Sequence, residues 1–161
     1  MNYYELFGLK EAPAVDRSAV AKMYIKLQKK YHPDFFTNEN EADKEFALEQ
    51  SAAINKGYKI FTNKDNTIEY FLKLKGTIIA DEKFNLPPDF LMEMMELNEG
   101  FDENPEIEKD VKHFENDLEK HIAVLLEPQT NNNFTEAQLQ DLKLYYYKKK
   151  YLKRILDRLD D

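Results

Sequence analysis

The spacing of apolar residues predicts helices over most of the chain. After a short apolar opening in YYELFGL, apolar residues recur every three to four positions, which places them on one side of a helix. The segments with this spacing cover about residues 16–31, 40–61, 65–75, 89–98, 105–126 and 134–159. We find no alternation of apolar and polar residues long enough to predict a strand. The pattern therefore predicts an all-α fold.

The breaks between these segments divide the chain into two parts. Pro33 ends the second helix, because proline disfavours helical geometry at the residue before it and carries no amide hydrogen. Gly76 stands where a left-handed residue often ends a helix. We therefore expect a four-helix domain over 1–75, a linker over 76–84 and a three-helix bundle over 85–161.

The helices of the first part have distinct apolar sides. On the second helix this side consists of Val20, Met23, Tyr24, Leu27 and Tyr31. On the third it consists of Phe46, Ala53, Ile54, Tyr58 and Phe61. The residues of the fourth expected to face inward are Ile68, Phe71, Leu72 and Leu74. Opposite the apolar side of the second helix lies a basic face, formed by Lys22, Lys26, Lys29 and Lys30. A row of charges is usually only solvated, but this one leads into the sequence His-Pro-Asp.

Charge and composition narrow the classes of function. The net charge of the 161 residues is −8, and residues 81–127 hold 15 acidic and 4 basic side chains. This balance argues against a nucleic-acid partner, which needs Lys and Arg at its phosphates. No apolar run is long enough to predict a membrane span, and the start does not resemble a secretion signal. The chain has no cysteine, which suits a reducing compartment and excludes thiolate chemistry. Since we also see no targeting segment, we expect a cytoplasmic protein.

The residues His32, Pro33 and Asp34 allow three interpretations: a metal pair, an acid–base pair, or a helix-ending turn in which the Asp34 side chain bonds the backbone. The chain has only three histidines, which disfavours a metal site. Asp110 and His113 make one Asp-x-x-His half-site, whereas a di-metal bundle needs a second. We therefore expect no metal, no cofactor and no enzymatic activity.

The segment PDFLMEMMELNEGFDE predicts a helix with two apolar stripes. At 100° per residue, the first stripe consists of Phe90, Met94, Leu97 and Phe101. The second consists of Leu91, Met92 and Met95, and its acidic border of Glu96, Glu99, Asp102 and Glu103. Both stripes could be buried within a bundle. The acidic border argues instead for a second stripe that binds a partner, since carboxylates are rarely buried without a partner.

Two blocks of sequence resemble a known family. YYELFGL, KLQKKYHPDFF and QSAAINKGYKIF together resemble a J domain, the part of a DnaJ-type co-chaperone that stimulates a DnaK-type ATPase. LFGL, QSAAIN, IEYFLKLKG, FLMEMMELNEG and the final YLKRILDRLDD are similar to the HscB family of iron–sulfur cluster co-chaperones. The resemblance is strongest over residues 3–100 and the last dozen residues, and weak over 104–145.

The resemblance implies two binding surfaces and no catalytic residue. In J domains the helix and turn that correspond to the basic face and to His32, Pro33 and Asp34 bind the ATPase, here expected to be of the DnaK or HscA type. The family's surface for the scaffold protein IscU corresponds to Leu91, Met92, Met95, Glu96, Glu99, Glu103 and Tyr151. Ile25 stands where many J domains have a basic residue, and Gly100 replaces a helix-forming residue. We expect a monomeric adaptor.

Three alternatives stay open. The chain could be a J-domain co-chaperone for a different client, with the carboxy-terminal bundle as a general protein-interaction module. It could also be an enzyme or metalloprotein that uses its His, Asp and Glu side chains. Finally, YYYKKKY at 145–151 combines aromatic rings with cations, as single-stranded nucleic-acid sites do. On a helix, however, these seven residues point in all directions around the axis.

Overall fold

The structure, a computed structural model, describes residues 1–100, 103–128 and 133–159. Its α-helices are α1 Tyr3–Leu6, α2 Arg17–Tyr31, α3 Glu41–Phe61, α4 Lys64–Leu74, α5 Pro88–Glu99, α6 Ile107–Ile122 and α7 Glu136–Leu159. Short 3₁₀ helices span Pro33–Phe36 and Ala123–Leu126. These three ranges contain no strand, so the all-α prediction is confirmed. The segment expected to be helical over 105–126 changes from α to 3₁₀ geometry after Ile122.

The Cα positions divide the chain into two compact units, the first ending at Phe71 and the second beginning at Leu72. The expected boundaries at 75 and 85 stay a prediction. In the first unit, α2 begins where the Asp16 carboxylate accepts hydrogen bonds from the amides of Ser18 and Ala19. The helix ends at Tyr31, as the proline two residues later predicts.

The core of the first unit is largely aromatic. Its fully buried members are Tyr4, Phe7, Val20, Ile54 and Phe61. Helix α1 lies close against α3 because residue 57 is glycine. A Cβ at Gly57 would lie 2.6 Å from a ring carbon of Phe7, which is itself buried. The Tyr4 hydroxyl donates to the Ala12 carbonyl, and burial raises the pKa of this phenol.

Helices α2 and α3 form an antiparallel pair that also has a polar contact. The ring of Tyr24 stacks on that of Tyr58, with centroids 4.1 Å apart. The Asn55 side-chain oxygen accepts hydrogen bonds from the Tyr24 hydroxyl at 3.2 Å and from the Gln28 amide at 2.9 Å. Because such bonds are directional, they favour one register of the two helices over shifted alternatives.

Helix α4 ends at the glycine that the sequence predicts, but one of its residues does not face inward as predicted. The Thr77 amide donates to the Leu72 carbonyl at 2.9 Å and the Gly76 amide to the Lys73 carbonyl at 3.1 Å. With Gly76 at φ +75°, this is a Schellman motif. Leu74 is 41% exposed, so the prediction that it faces inward is wrong. It lies about 200° around the helix from the buried Leu72.

Three helices of the second unit share one apolar core. Helix α5 contributes Phe90 and Met94, α6 contributes Ile107 and Val111, and α7 contributes Leu152 and Ile155. The predicted three-helix bundle is therefore confirmed. Helices α6 and α7 are also joined by ion pairs, in which the Lys149 ammonium lies 2.7 Å from a Glu119 oxygen and 3.3 Å from Glu115. The Lys149 side chain is only 14% exposed.

Residues 77–86 pack against α7, and we call this segment the strap. Lys143 donates to the Thr77 carbonyl at 2.9 Å and pairs with Glu82 at 3.0 Å. The Tyr147 hydroxyl donates to the other Glu82 oxygen at 2.8 Å, and its ring stacks on Phe84 with centroids 4.4 Å apart. The bond from Tyr147, supported by Lys143, lowers the pKa of Glu82. Most of the segment expected to be a linker is thus held along a helix.

Candidate functional site

The turn after α2 is built by the histidine rather than by the aspartate. His32 has extended backbone geometry (φ −62°, ψ 131°), and its Nδ1 accepts a hydrogen bond from the Asp34 amide at 3.2 Å. The expected side-chain bond from Asp34 is therefore replaced by one from His32. An imidazole nitrogen that accepts carries no proton, so in the neutral ring the hydrogen lies on Nε2. The turn thus holds the imidazole in one orientation.

The polar groups of this turn face water. The His32 side chain is 46% exposed and that of Asp34 is 85% exposed. Throughout the part of the chain that the structure describes, His, Asp and Glu side chains form no group of three or more that could hold a metal ion. Asp110 accepts a hydrogen bond from Asn104, and His113 lies 3.4 Å from Asp117 on the same helix. Both polar side chains of the turn are therefore accessible from outside the first unit.

The basic face of α2 lies on the outside of the first unit. Its lysines, Lys22, Lys26, Lys29 and Lys30, are all exposed. The opposite side of the helix packs on the aromatic core, so the predicted division of α2 is confirmed. Ile25 lies among the lysines and is 55% exposed. This apolar side chain interrupts the basic face at its centre.

Two exposed aromatic rings lie beside the turn, and neither was predicted to be exposed. Phe35 is 65% exposed and its ring lies edge-on to His32. Phe46, expected on the apolar side of α3, is 51% exposed and its ring meets that of Tyr31 edge-on. Neither ring enters the core of the first unit. The paired phenylalanines after Asp34 were a signal, because a short polar turn rarely needs two large apolar side chains.

The second apolar stripe of α5 is exposed. Leu91, Met92 and Met95 are 37%, 63% and 59% exposed, and we call these residues the methionine face. Phe90 and Met94 of the first stripe are buried. The alternative in which both stripes are buried is therefore wrong. Glu96 and Glu99, expected to border the methionine face, are also exposed; Phe101 and Asp102 lie outside the described residues.

The position of Glu103 differs from that of the other acidic residues. Helix α5 ends at Glu99, and the Gly100 amide makes the last bond to the Glu96 carbonyl at 3.2 Å. Glu103 follows in a turn, where its amide donates to the Gly100 carbonyl. Since Glu103 is not part of the helix, helical spacing no longer places it on the methionine face.

Most of the residues of YYYKKKY that the structure describes take part in packing, hydrogen bonds or ion pairs. Tyr145 is buried, Tyr147 holds the strap, and Lys149 lies in the ion pairs with α6. Tyr151 is half-buried, and its ring meets Phe90 edge-on with centroids 6.0 Å apart. The ring of Tyr151 thus contacts the buried stripe of α5, at the residue that precedes Leu91.

Comparisons with known proteins agree with the two sequence blocks. Residues 86–160 match the family model of the HSCB C-terminal oligomerisation domain. A co-chaperone protein HscB from Buchnera aphidicola is 38% identical over 126 residues, which cover 76% of this chain and 72% of that protein. A co-chaperone protein HscB homolog from Vibrio vulnificus is 39% identical over 106 residues, or 65% of this chain. That match spans 62% of the Vibrio protein's length.

The fold agrees as well. The crystal structure of the human co-chaperone protein HscB superposes with a TM-score of 0.83 at 25% identity, covering 99% of this chain and 81% of the human one. No helix in the described ranges combines the length and apolarity needed to cross a membrane. The structural match covers both units of the chain. The chain therefore belongs to the HscB family of co-chaperones.

Proposed function

We propose that this protein is an adaptor in iron–sulfur cluster assembly. Its bundle binds an IscU-like scaffold protein, and its J domain delivers that scaffold to a DnaK- or HscA-type ATPase chaperone and stimulates ATP hydrolysis. The observation that carries the proposal is the exposed methionine face, because α5 already packs on the core through Phe90 and Met94 and does not need a second apolar stripe for packing. Family membership supports the rest.

The ATPase half of the proposal rests on the turn. His32 offers an Nε2 hydrogen and Asp34 a carboxylate, both accessible to water. The basic face beside them attracts a partner with an acidic surface and raises the rate of encounter. Hydrolysis takes place in the ATPase, so the turn acts by contact and needs no activated group.

The scaffold half rests on α5. Methionine side chains are flexible and polarizable, so they adapt to a partner's surface. Glu96 and Glu99 favour a partner with a basic border around an apolar patch. Holding the scaffold on the same chain as the turn raises its effective concentration at the ATPase. We propose that the protein works in the cytoplasm as a monomer.

The first test is an ATPase assay with the DnaK- or HscA-type chaperone, with and without the scaffold. The unaltered chain should stimulate hydrolysis, and more so with scaffold present. His32→Gln should abolish stimulation and leave scaffold binding unchanged, because the turn and the methionine face are separate surfaces. Full stimulation by this variant would contradict the J-domain assignment.

The second test measures scaffold binding by calorimetry. Leu91→Ala combined with Met95→Ala should weaken binding at least about tenfold, as loss of central apolar contacts does. Leu48→Ala is the control, since Leu48 is 60% exposed and lies on α3. Unchanged binding by the double variant would favour a co-chaperone for another client. Near-stoichiometric metal in the purified protein would instead favour the metalloprotein alternative.

A further inference from the structure

A cavity of about 210 Å³ lies between the strap and α7. The strap contributes Glu82, Phe84 and Leu86, and α7 contributes Tyr147, Lys150, Tyr151 and Arg154. All of these residues belong to the second unit. Of the residues that the family resemblance implies for scaffold binding, only Tyr151 lines this cavity.

The charge at this cavity is positive. Both oxygens of Glu82 are occupied, one by the Tyr147 hydroxyl and the other by the Lys143 ammonium. Lys150 and Arg154 are exposed, and neither is paired with a carboxylate within the described ranges. The Lys150 ammonium lies 5.9 Å from the centre of the Tyr146 ring, a contact that leaves its charge available. The cavity therefore has aromatic walls and two cations at its rim.

The size of the cavity indicates the kind of occupant. Small-molecule sites usually measure about 300–1,000 Å³, so this cavity is smaller than such a site. It suits one or two side chains of a protein partner. An acidic side chain beside an apolar one matches both the walls and the rim, because a guanidinium binds carboxylates in a fixed geometry.

We infer that this cavity is a second contact for the scaffold protein and takes an acidic and an apolar side chain from it. The inference rests on the proposed function. Tyr151 lines the cavity and its ring meets Phe90 of α5, so the cavity lies beside the helix that carries the methionine face. The methionine face has an acidic border and the cavity a basic rim. Two contacts of opposite charge fix the orientation of a partner, since the reversed orientation brings like charges together.

The experiment measures the affinity of the IscU-like scaffold for charge-reversed variants of the full chain. Lys150→Glu combined with Arg154→Glu should weaken binding about tenfold and reduce its dependence on salt. The matched control is Lys153→Glu combined with Lys120→Glu, which changes the net charge equally at exposed lysines outside the cavity. The control should stay within about twofold of the unaltered chain. Circular dichroism should show both variants folded.

Each other outcome overturns the inference. Equal weakening by both variants would mean that only overall charge matters. Unchanged binding by the cavity variant, with weakening by the Leu91 and Met95 variant, would leave the proposed function intact and remove the second contact. The unaltered chain could also bind a single-stranded oligonucleotide. If the cavity variant lost that binding and kept the scaffold, the rim would be a phosphate site. A scaffold that does not bind the unaltered chain would end both proposals.

Discussion

Helices α2 and α7 both carry several lysines, but those lysines lie in opposite environments. On α2 they form an exposed face, and the apolar side packs on the aromatic core. On α7, Lys143 and Lys149 are only 12% and 14% exposed, and each pairs with carboxylates on another segment. On α5 the exposed side chains are instead apolar. Helix α2 thus places its lysines outside and most of its apolar side chains inside, whereas α5 and α7 partly reverse this order.

The comparison of these helices shows which kinds of exposed residue indicate a binding surface. An exposed lysine is ordinary, and only its position beside a special turn makes it informative. An exposed methionine stripe on a helix that already buries Phe90 and Met94 is unusual by itself. Buried lysines in the same unit show that polar groups there hold the structure together. The second unit is therefore the better place to test which residues stabilise and which bind.

The largest expected effect separates two adjacent methionines of α5. Met94 is fully buried, so Met94→Ala should lower the free energy of unfolding of the second unit by about 2–5 kcal/mol through the cavity it leaves. Met95 is 59% exposed, so Met95→Ala should change it by less than about 0.5 kcal/mol. Urea unfolding, with hydrogen exchange to identify the unit that loosens, measures both. Equal losses would mean that the methionine face contributes to the core.

A second comparison uses one lysine from each environment. Lys149→Ala leaves Glu115 and Glu119 facing each other without the shared cation and should destabilise the second unit by about 1–3 kcal/mol. Lys26→Ala removes an exposed charge and should cost less than about 0.5 kcal/mol. The same unfolding measurement applies. If Lys149→Ala proved neutral, the α6–α7 contact would depend on apolar packing alone.

The smallest expected effect concerns the strap and depends on pH. Because the Tyr147 bond and the Lys143 charge lower the pKa of Glu82, its carboxylate stabilises the folded state above the ordinary glutamate pKa of about 4.3. This contribution is lost as the pH falls through the lowered pKa of the folded state. Glu82→Gln should therefore be less stable by about 1 kcal/mol at neutral pH.

Urea unfolding over a series of pH values checks this prediction. The difference between Glu82→Gln and the unaltered chain should close in acid, once the native carboxylate is protonated as well. Lys83→Gln, at an exposed strap position, is the control and should show no such trend. A difference that persists unchanged in acid would mean that Glu82 acts by packing and not by charge.

Local sequence rules predicted the helices and most of their ends. Pro33, Gly76 and Asp16 each act through the backbone of their own segment, so their effect is visible in the sequence. The two stripes of α5 were also predictable, because helical spacing fixes the angle between Met94 and Met95. The acidic border of the second stripe also indicated which of the two is exposed, because carboxylates are rarely buried without a partner.

The features that were missed depend on contacts distant in sequence. Lys149 belongs to YYYKKKY, in which the sequence allowed a nucleic-acid site. Its place between α6 and α7 was not predictable, because its carboxylate partners, Glu115 and Glu119, are thirty or more residues earlier. Tyr147 and Glu82 are 65 residues apart, so nothing near either one signals the strap. Leu74 and Phe46 were expected to face inward from their spacing alone, yet both are exposed. Spacing gives the angle between side chains around a helix but not how far the neighbouring helices cover it.

The strap has a practical consequence for dividing this protein. A fragment that begins at residue 85 would leave the Tyr147 ring bare and the Lys143 ammonium without its carboxylate. Such a fragment would expose the part of α7 that the strap covers. It would risk aggregation through this newly exposed surface, even with its core intact. A cut just before Leu72 keeps the strap with the helix that holds it. Truncations that remove the strap should be interpreted as damage to the bundle.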